Sequence, residues 1–186
     1  MAAPTDSFEF PRTGKKARNR AVVAAMTNKQ SNEDGTLSDE EINWLLRSAE
    51  GGFGIVTPAA TPVDPEGQGW DGEMGVWGDH QLSGLTRLAT GINEHGAISL
   101  AQIFHGGMRS PQRLTGVQPV SASINSTSDS DNGETRELED SEIEELVQAF
   151  ATAAARCEKA GFDGVEIHGA HAVSYTHLTL PTILLV

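Results

Sequence analysis

One cysteine and one tyrosine occur in 186 residues, and aromatic side chains make up only 5% of the chain. A lone Cys157 cannot close an internal disulfide, so stability must come from burial, and a reducing, cytoplasmic setting is expected. Positive charge is scarce as well. There are 13 Lys and Arg against 26 Asp and Glu, giving a formal charge of −13 and a pI near 4.7. That field repels nucleic acid and anionic lipid, and neither is expected as a partner. The one basic cluster, Lys15-Lys16-Ala17-Arg18-Asn19-Arg20, is too short to reverse it and reads as a solvated turn before a strand. No apolar run is long enough to span a bilayer. Met1 to Phe10 also lack the basic start and apolar middle of a secretion signal.

Three helices are marked by their ends. Ser38 with Glu41 forms a capping-box pattern ahead of Ile42, Leu45, Leu46 and Ala49, and Gly51-Gly52 closes it. Asp79 is placed to cap a second helix, in which Leu82, Leu85, Leu88 and Ile92 recur at helical spacing before His95-Gly96. Ser141 with Glu144 is read as the cap of a third, with Ile143, Leu146, Val147, Phe150 and Ala154 as its apolar face and Gly161 as its stop. Cys157, seven residues after Phe150, falls on that stripe and reads as core packing rather than as a nucleophile.

Short apolar runs without strict alternation bracket the helices, predicting strands within 20–26, 53–57, 97–103 and 164–167. Such runs suit a parallel sheet covered on both faces. The order β-α-β-α-β-α-β fits either an open doubly wound sheet or a barrel, and periodicity does not choose between them. No Gly-x-Gly-x-x-Gly follows the first strand, which weakens the dinucleotide-binding open sheet. Ser110 to Glu137 is rich in Ser, Thr, Asp, Asn and Gly and reads as a mobile, solvated loop on the site-forming side, with a lid as the alternative.

The densest signal is Ala160-Gly161-Phe162-Asp163-Gly164-Val165-Glu166-Ile167-His168-Gly169-Ala170-His171. A glycine ends a helix, Val165 and Ile167 make a strand, and two imidazoles arrive where the strand stops. In parallel barrels that end of the strand is the catalytic face. The competing reading is a hydrogen-bonded histidine pair capping a turn.

This segment resembles the fourth strand of the old yellow enzyme family, FMN-dependent NAD(P)H:flavin oxidoreductases with the signature GFDGVEIHGAH followed by Gly-Tyr-Leu-Leu. The match runs through His171 and then departs at Ala172, Val173, Ser174 and Tyr175. The resemblance decides for the barrel: an α/β TIM (β/α)8 fold, truncated to about its first four β/α units. It implies an FMN cofactor with NADH or NADPH as reductant, and a hydride passed to a small alkene conjugated to a carbonyl or nitro group. Ala24-Ala25-Met26-Thr27 is similar to the family's Ala-Pro-Met-Thr stretch, so Ala25, Met26 and Thr27 would approach the flavin ring. Ala60 would leave room for the ring, and Pro65-Glu66-Gly67-Gln68-Gly69 resembles the loop beyond. Gln102 would hydrogen-bond the pyrimidine edge, since an amide offers both donor and acceptor. His168 and His171 would direct N–H groups at the oxygen where charge develops. Glu166 shares a strand face with His168 and would either orient an imidazole or form an ion pair.

The family's tyrosine proton donor has no counterpart: Val173 and Lys29 stand at its two usual places, leaving solvent or a residue of a missing half. The chain spends 171 residues reaching its fourth strand, and 173–186 carries no Asp, Glu, Lys or Arg. Residues 1–172 are therefore expected to form the N-terminal half of a flavin barrel, and 173–186 a non-family tail read from a cloning or sequencing adapter, with a divergent terminus as the alternative. The isolated chain is expected to bind flavin weakly and to be inactive, and its open sheet edges favour association as a non-catalytic fragment. A second enzyme class stays open: a metal-dependent barrel hydrolase using Glu166, His168 and His171.

Overall fold

The computed structural model describes residues 2–169. Four strands form one parallel sheet: β1 (Val22–Val23), β2 (Ile55–Val56, resumed at Thr61–Pro62), β3 (Ile98–Phe104) and β4 (Gly164–Ile167). Their order in space is their order in sequence, because β1 pairs with β2, β2 with β3 and β3 with β4. Ile103 is shared by Thr61 and Ile167, so β2 and β4 lie on opposite edges of β3. The crossovers carry α1 (Asp39–Glu50), α2 (Leu82–Glu94) and α3 (Asp140–Ala160).

A single core decides between the two architectures left open by periodicity. Ile42, Leu45 and Ala49 of α1, Leu85, Leu88 and Ile92 of α2, and Ala153, Cys157 and Ala160 of α3 join Val56, Ala101 and Ile103 of the sheet. All three helices thus cover the same sheet face. A doubly wound sheet would distribute them over both faces and reverse its strand order. One covered face and an unbroken strand progression make this a partial (β/α)8 wall.

β2 carries an irregularity. Ile55 pairs with Ile98 but Thr61 with Ile103, so six steps along β2 meet five along β3. The extra residue lies within Thr57–Ala60, a bulge of the kind that re-aims side chains near active sites. β1 is shorter than the apolar run predicts. Among the described residues it pairs with β2 alone, and the chain after Val23 leaves the sheet.

Other expectations need correction. Ser38 caps α1 as read, accepting the Glu41 N–H at 3.1 Å. Asp79 does not cap α2: Gly78 precedes a 3₁₀ turn over Asp79–Gln81, and the Gln81 side chain accepts the Gly78 N–H at 3.0 Å. Asp79 instead pairs with Arg156 and Lys159 of α3. The cap of α3 is Glu139 with Glu142, two residues before the pattern at Ser141 and Glu144. Arg136 grips both Glu142 oxygens and fixes that start. On the same helix Ile143 and Val147 are exposed, while Phe150 and Ala154 pack on the core. Gly161 stops α3 as predicted, at φ +95°.

The basic cluster is no solvated turn. Lys16–Ala17 pairs antiparallel with Phe8–Glu9. Lys15 bonds Asp163 ahead of β4, and Arg18 donates to the carbonyls of Ala49, Phe53 and His95. These partners precede β2, β3 and β4, so the hairpin latches the N-terminal end of the sheet. The polar stretch 110–137 is likewise built rather than loose. Val120–Ser121 pairs with Arg136–Glu137, Thr127 Oγ1 donates to Met108 O, and Gln112 N donates to Asp129 O. Hydrogen bonds supply here what apolar burial does not.

Candidate active site

Strand register assigns the two faces. Val56, Ala101 and Ile103 look into the helix-covered core, so their neighbours Ile55, Ile98, Leu100, Gln102 and Phe104 look to the other face, the barrel interior. Pairing of Leu100 with Gly164 and of Gln102 with Glu166 carries that face onto β4. The His168 N–H donates to Ile103 O at 3.0 Å, extending the ladder one residue, so His168 follows Glu166 on the interior side.

At the C-terminal end of this face polar and aromatic groups converge. The Gln102 amide donates to Glu166 Oε1, which fixes the amide's orientation and leaves its carbonyl oxygen and second N–H for another partner. Glu166 thereby holds Gln102. His168 meets the edge of Phe104 at 5.9 Å and 68°, and Phe104 is stacked on Trp70 at 5.7 Å and 17°. Trp70 arrives from the β2–α2 connection, and its role was not visible in the sequence.

Parallel topology brings the other expected residues to the same end of the sheet. Ala25, Met26 and Thr27 follow β1; Met26 is 61% exposed and Thr27 is exposed as well. Ala60 is buried and closes the bulge of β2. His171, together with Tyr175 and the 173–186 segment, lies outside the described residues. The metal reading loses its third ligand from view for the same reason. Among the described residues no three His, Cys, Asp or Glu side chains converge as ligands.

Two buried groups support this end: Glu41, which the sequence marks only as part of a helix cap, and His105, to which it assigns no role. Glu41, fully buried at the start of α1, accepts from Asn28 Nδ2 at 2.8 Å and from Ser31 Oγ. It thereby pins the loop that follows Ala25–Thr27, in which Lys29 takes the left-handed conformation at φ +57°. His105, just past β3, is buried, and its Nδ1 accepts the Gly107 N–H at 3.1 Å, which leaves the proton on Nε2. Burial holds its pKa below the usual imidazole range. His105 lines a separate cleft of about 90 Å³ with Asp64, Glu66, Arg136 and Glu142, which includes neither Gln102 nor His168.

Residues 13–176 match the model of the NADH:flavin oxidoreductase / NADH oxidase family. The chain is 40% identical over 169 residues to a probable NADH-dependent flavin oxidoreductase, YqiG, of Bacillus subtilis (strain 168), covering 89% of this chain and 44% of that protein. It is 38% identical over 173 residues to an NADH:acrylate oxidoreductase of Vibrio harveyi, covering 92% of this chain and 17% of that one. The structure of an old yellow enzyme homologue from Zymomonas mobilis superposes with a TM-score of 0.81 at 27% identity, over 92% of this chain and 49% of that one. The chain thus spans less than half the length of these curated relatives.

Proposed function

Because the chain belongs to the NADH:flavin oxidoreductase / NADH oxidase family, we propose that it forms the cofactor-facing wall of an enzyme passing hydride from NADH or NADPH through FMN to an activated alkene. The observation that carries this reading is the meeting of Gln102, Glu166 and His168 at the C-terminal end of one parallel wall, the end at which Ala25–Thr27 follow β1.

These residues fit a flavin ring. Met26 and Thr27 are exposed, Ala60 contributes a side chain too small to obstruct a ring, and Gln102 keeps an acceptor and a donor for the pyrimidine edge. FMN, when bound, supplies the electron-pair carrier between nicotinamide and alkene. As the alkene takes up hydride at its β-carbon, negative charge builds on the conjugated carbonyl or nitro oxygen. The imidazole N–H of His168, with His171 as its partner, stabilises that charge more than it stabilises the ground state, which turns binding into rate. The Phe104 edge contact steadies the ring of His168. The named activity of the V. harveyi relative, on acrylate, supports a small conjugated alkene as the acceptor class. A charge of −13 supports a small-molecule partner over nucleic acid or membrane.

The test uses the chain joined to a complete barrel. That protein should purify with flavin absorbance, be bleached by NAD(P)H and be reoxidised by an enone. His168→Ala should slow enone reduction on the order of a hundred- to a thousand-fold, with a smaller effect on flavin reduction. A colourless protein would overturn the cofactor assignment, and unchanged enone reduction in His168→Ala would overturn the role of the histidine.

A further inference from the structure

Glu73 sits in the β2–α2 connection, 1% exposed, three residues after Trp70. The backbone N–H groups of Gly69 and Trp70 point at its carboxyl, Gly69 donating to Oε2 at 2.9 Å. Oε1 has no hydrogen-bond partner among the described residues, and neither has the buried Trp70 Nε1. The charged group facing Glu73 from the neighbouring helix α1 is Glu41, which repels a second negative charge. From its own loop, Asp71 is turned outward to Arg113, and Lys29 of the adjoining loop is exposed. Among the described residues no cation offsets an ionised Glu73.

We propose that Glu73 is a positioning residue: its carboxyl group fixes the Gly69–Trp70 turn and, through it, the Trp70–Phe104–His168 stack, and deprotonation releases that stack. The Gly69 N–H holds Oε2 and the Trp70 N–H points at the same carboxyl, so the turn that aims the indole at Phe104 is tied to a side chain that tolerates burial only while uncharged. Burial is the largest influence on Glu73, raising its pKa to about 9. Below that pH the stack is held. Above it, a carboxylate facing Glu41 without a counter-ion must gain water, and the turn opens to admit it. The inference rests on the proposed function only for the use made of the stack, since the geometry it concerns is independent of flavin.

The experiment therefore reads Trp70 itself. Trp44→Phe with Trp77→Phe leaves Trp70 as the sole tryptophan of three. Acrylamide quenching is followed from about pH 7 to 10.5, with far-UV circular dichroism alongside. Quenching should rise several-fold through a one-proton transition near pH 9 while helicity persists, and Glu73→Gln, which keeps the acceptor but cannot ionise, should abolish the transition. If the double tryptophan variant does not fold, the near-UV dichroism of the chain with and without Glu73→Gln reads the same transition. A transition that survives Glu73→Gln, an absent transition, or helix loss at one pH in both forms would overturn the proposal. A Trp70 transition alongside a colourless complete-barrel protein would instead count against the proposed function alone.

Discussion

Truncating Glu41 probes how the β1 loop is held, because this one buried side chain joins helix α1 to the segment after Thr27. Glu41→Ala removes the acceptor of Asn28 Nδ2 and of Ser31 Oγ. A buried donor left unpaired costs about 1–3 kcal/mol. Asn28 and Ser31 are half-buried, so water entering the vacated space recovers part of that. The net loss should be about 2–3 kcal/mol, equivalent to a fall of about 4–12 °C in Tm for a chain of this size. Glu41→Gln retains an acceptor oxygen and should lose about 1 kcal/mol or less. Urea unfolding followed by far-UV circular dichroism measures the global term. Limited trypsinolysis measures the local one, since Lys29 is a cleavage site inside the pinned loop, and its cutting should accelerate in Glu41→Ala before the rest of the chain yields. A Tm within about 1 °C of the parent chain together with unchanged cleavage after Lys29 would refute the anchoring role.

Two further outcomes follow from buried and paired groups. Cys157 is fully buried, with its thiol pushed up to about 12 by desolvation, so a thiol reagent at about pH 8 should label it only after denaturant is added; stoichiometric labelling of the folded chain would contradict its place in the core. Arg136 holds the Glu142 carboxyl at a pKa of about 2, below the unfolded value of 4.5. The stability this pair contributes is thus complete above about pH 4.5 and is lost as pH falls toward 2. Glu142→Gln should flatten that part of the acid denaturation curve and fray the first turn of α3, seen as lost helical signal; an identical acid curve would show the pair to be inert.

What could be read in advance followed from how local each determinant is. α1 was legible because cap, apolar stripe and glycine stop lie within a few residues of one another. The start of α3 was not, since Glu139-x-x-Glu142 and Ser141-x-x-Glu144 offer competing caps two residues apart, and Arg136 settles the choice through its bidentate grip on Glu142. Exposure of Ile143 and Val147 was hidden too, because periodicity marks an apolar side chain without saying what covers it. Gln102 and His168 were placed at one end of the wall by a topological rule that needs only strand identity and direction. Their immediate partners were not: the Gln102–Glu166 bond depends on the register between strands 64 residues apart, and Trp70 reaches Phe104 only because the β2–α2 connection folds back over the sheet end.

The same distinction governs how the site can change. Residues read from strand ends are held by a ladder shared with the core, so substituting one alters chemistry while leaving its neighbours in place. Trp70 and the segment after β1 are held instead by single buried carboxyl groups: Glu73, which accepts from the Gly69 N–H, and Glu41, which accepts from Asn28 and Ser31. Each is a concentrated anchor, where one substitution moves a whole turn. Anchoring both loops that border the proposed flavin face gives them a fixed rest position without burying their outward surfaces, as Met26 shows by remaining 61% exposed beside a loop pinned only a few residues away. Loss of an anchor should therefore appear first as loosened loops around an intact wall, and unfolding of β3 in step with the loops would show that wall and loops form a single cooperative unit.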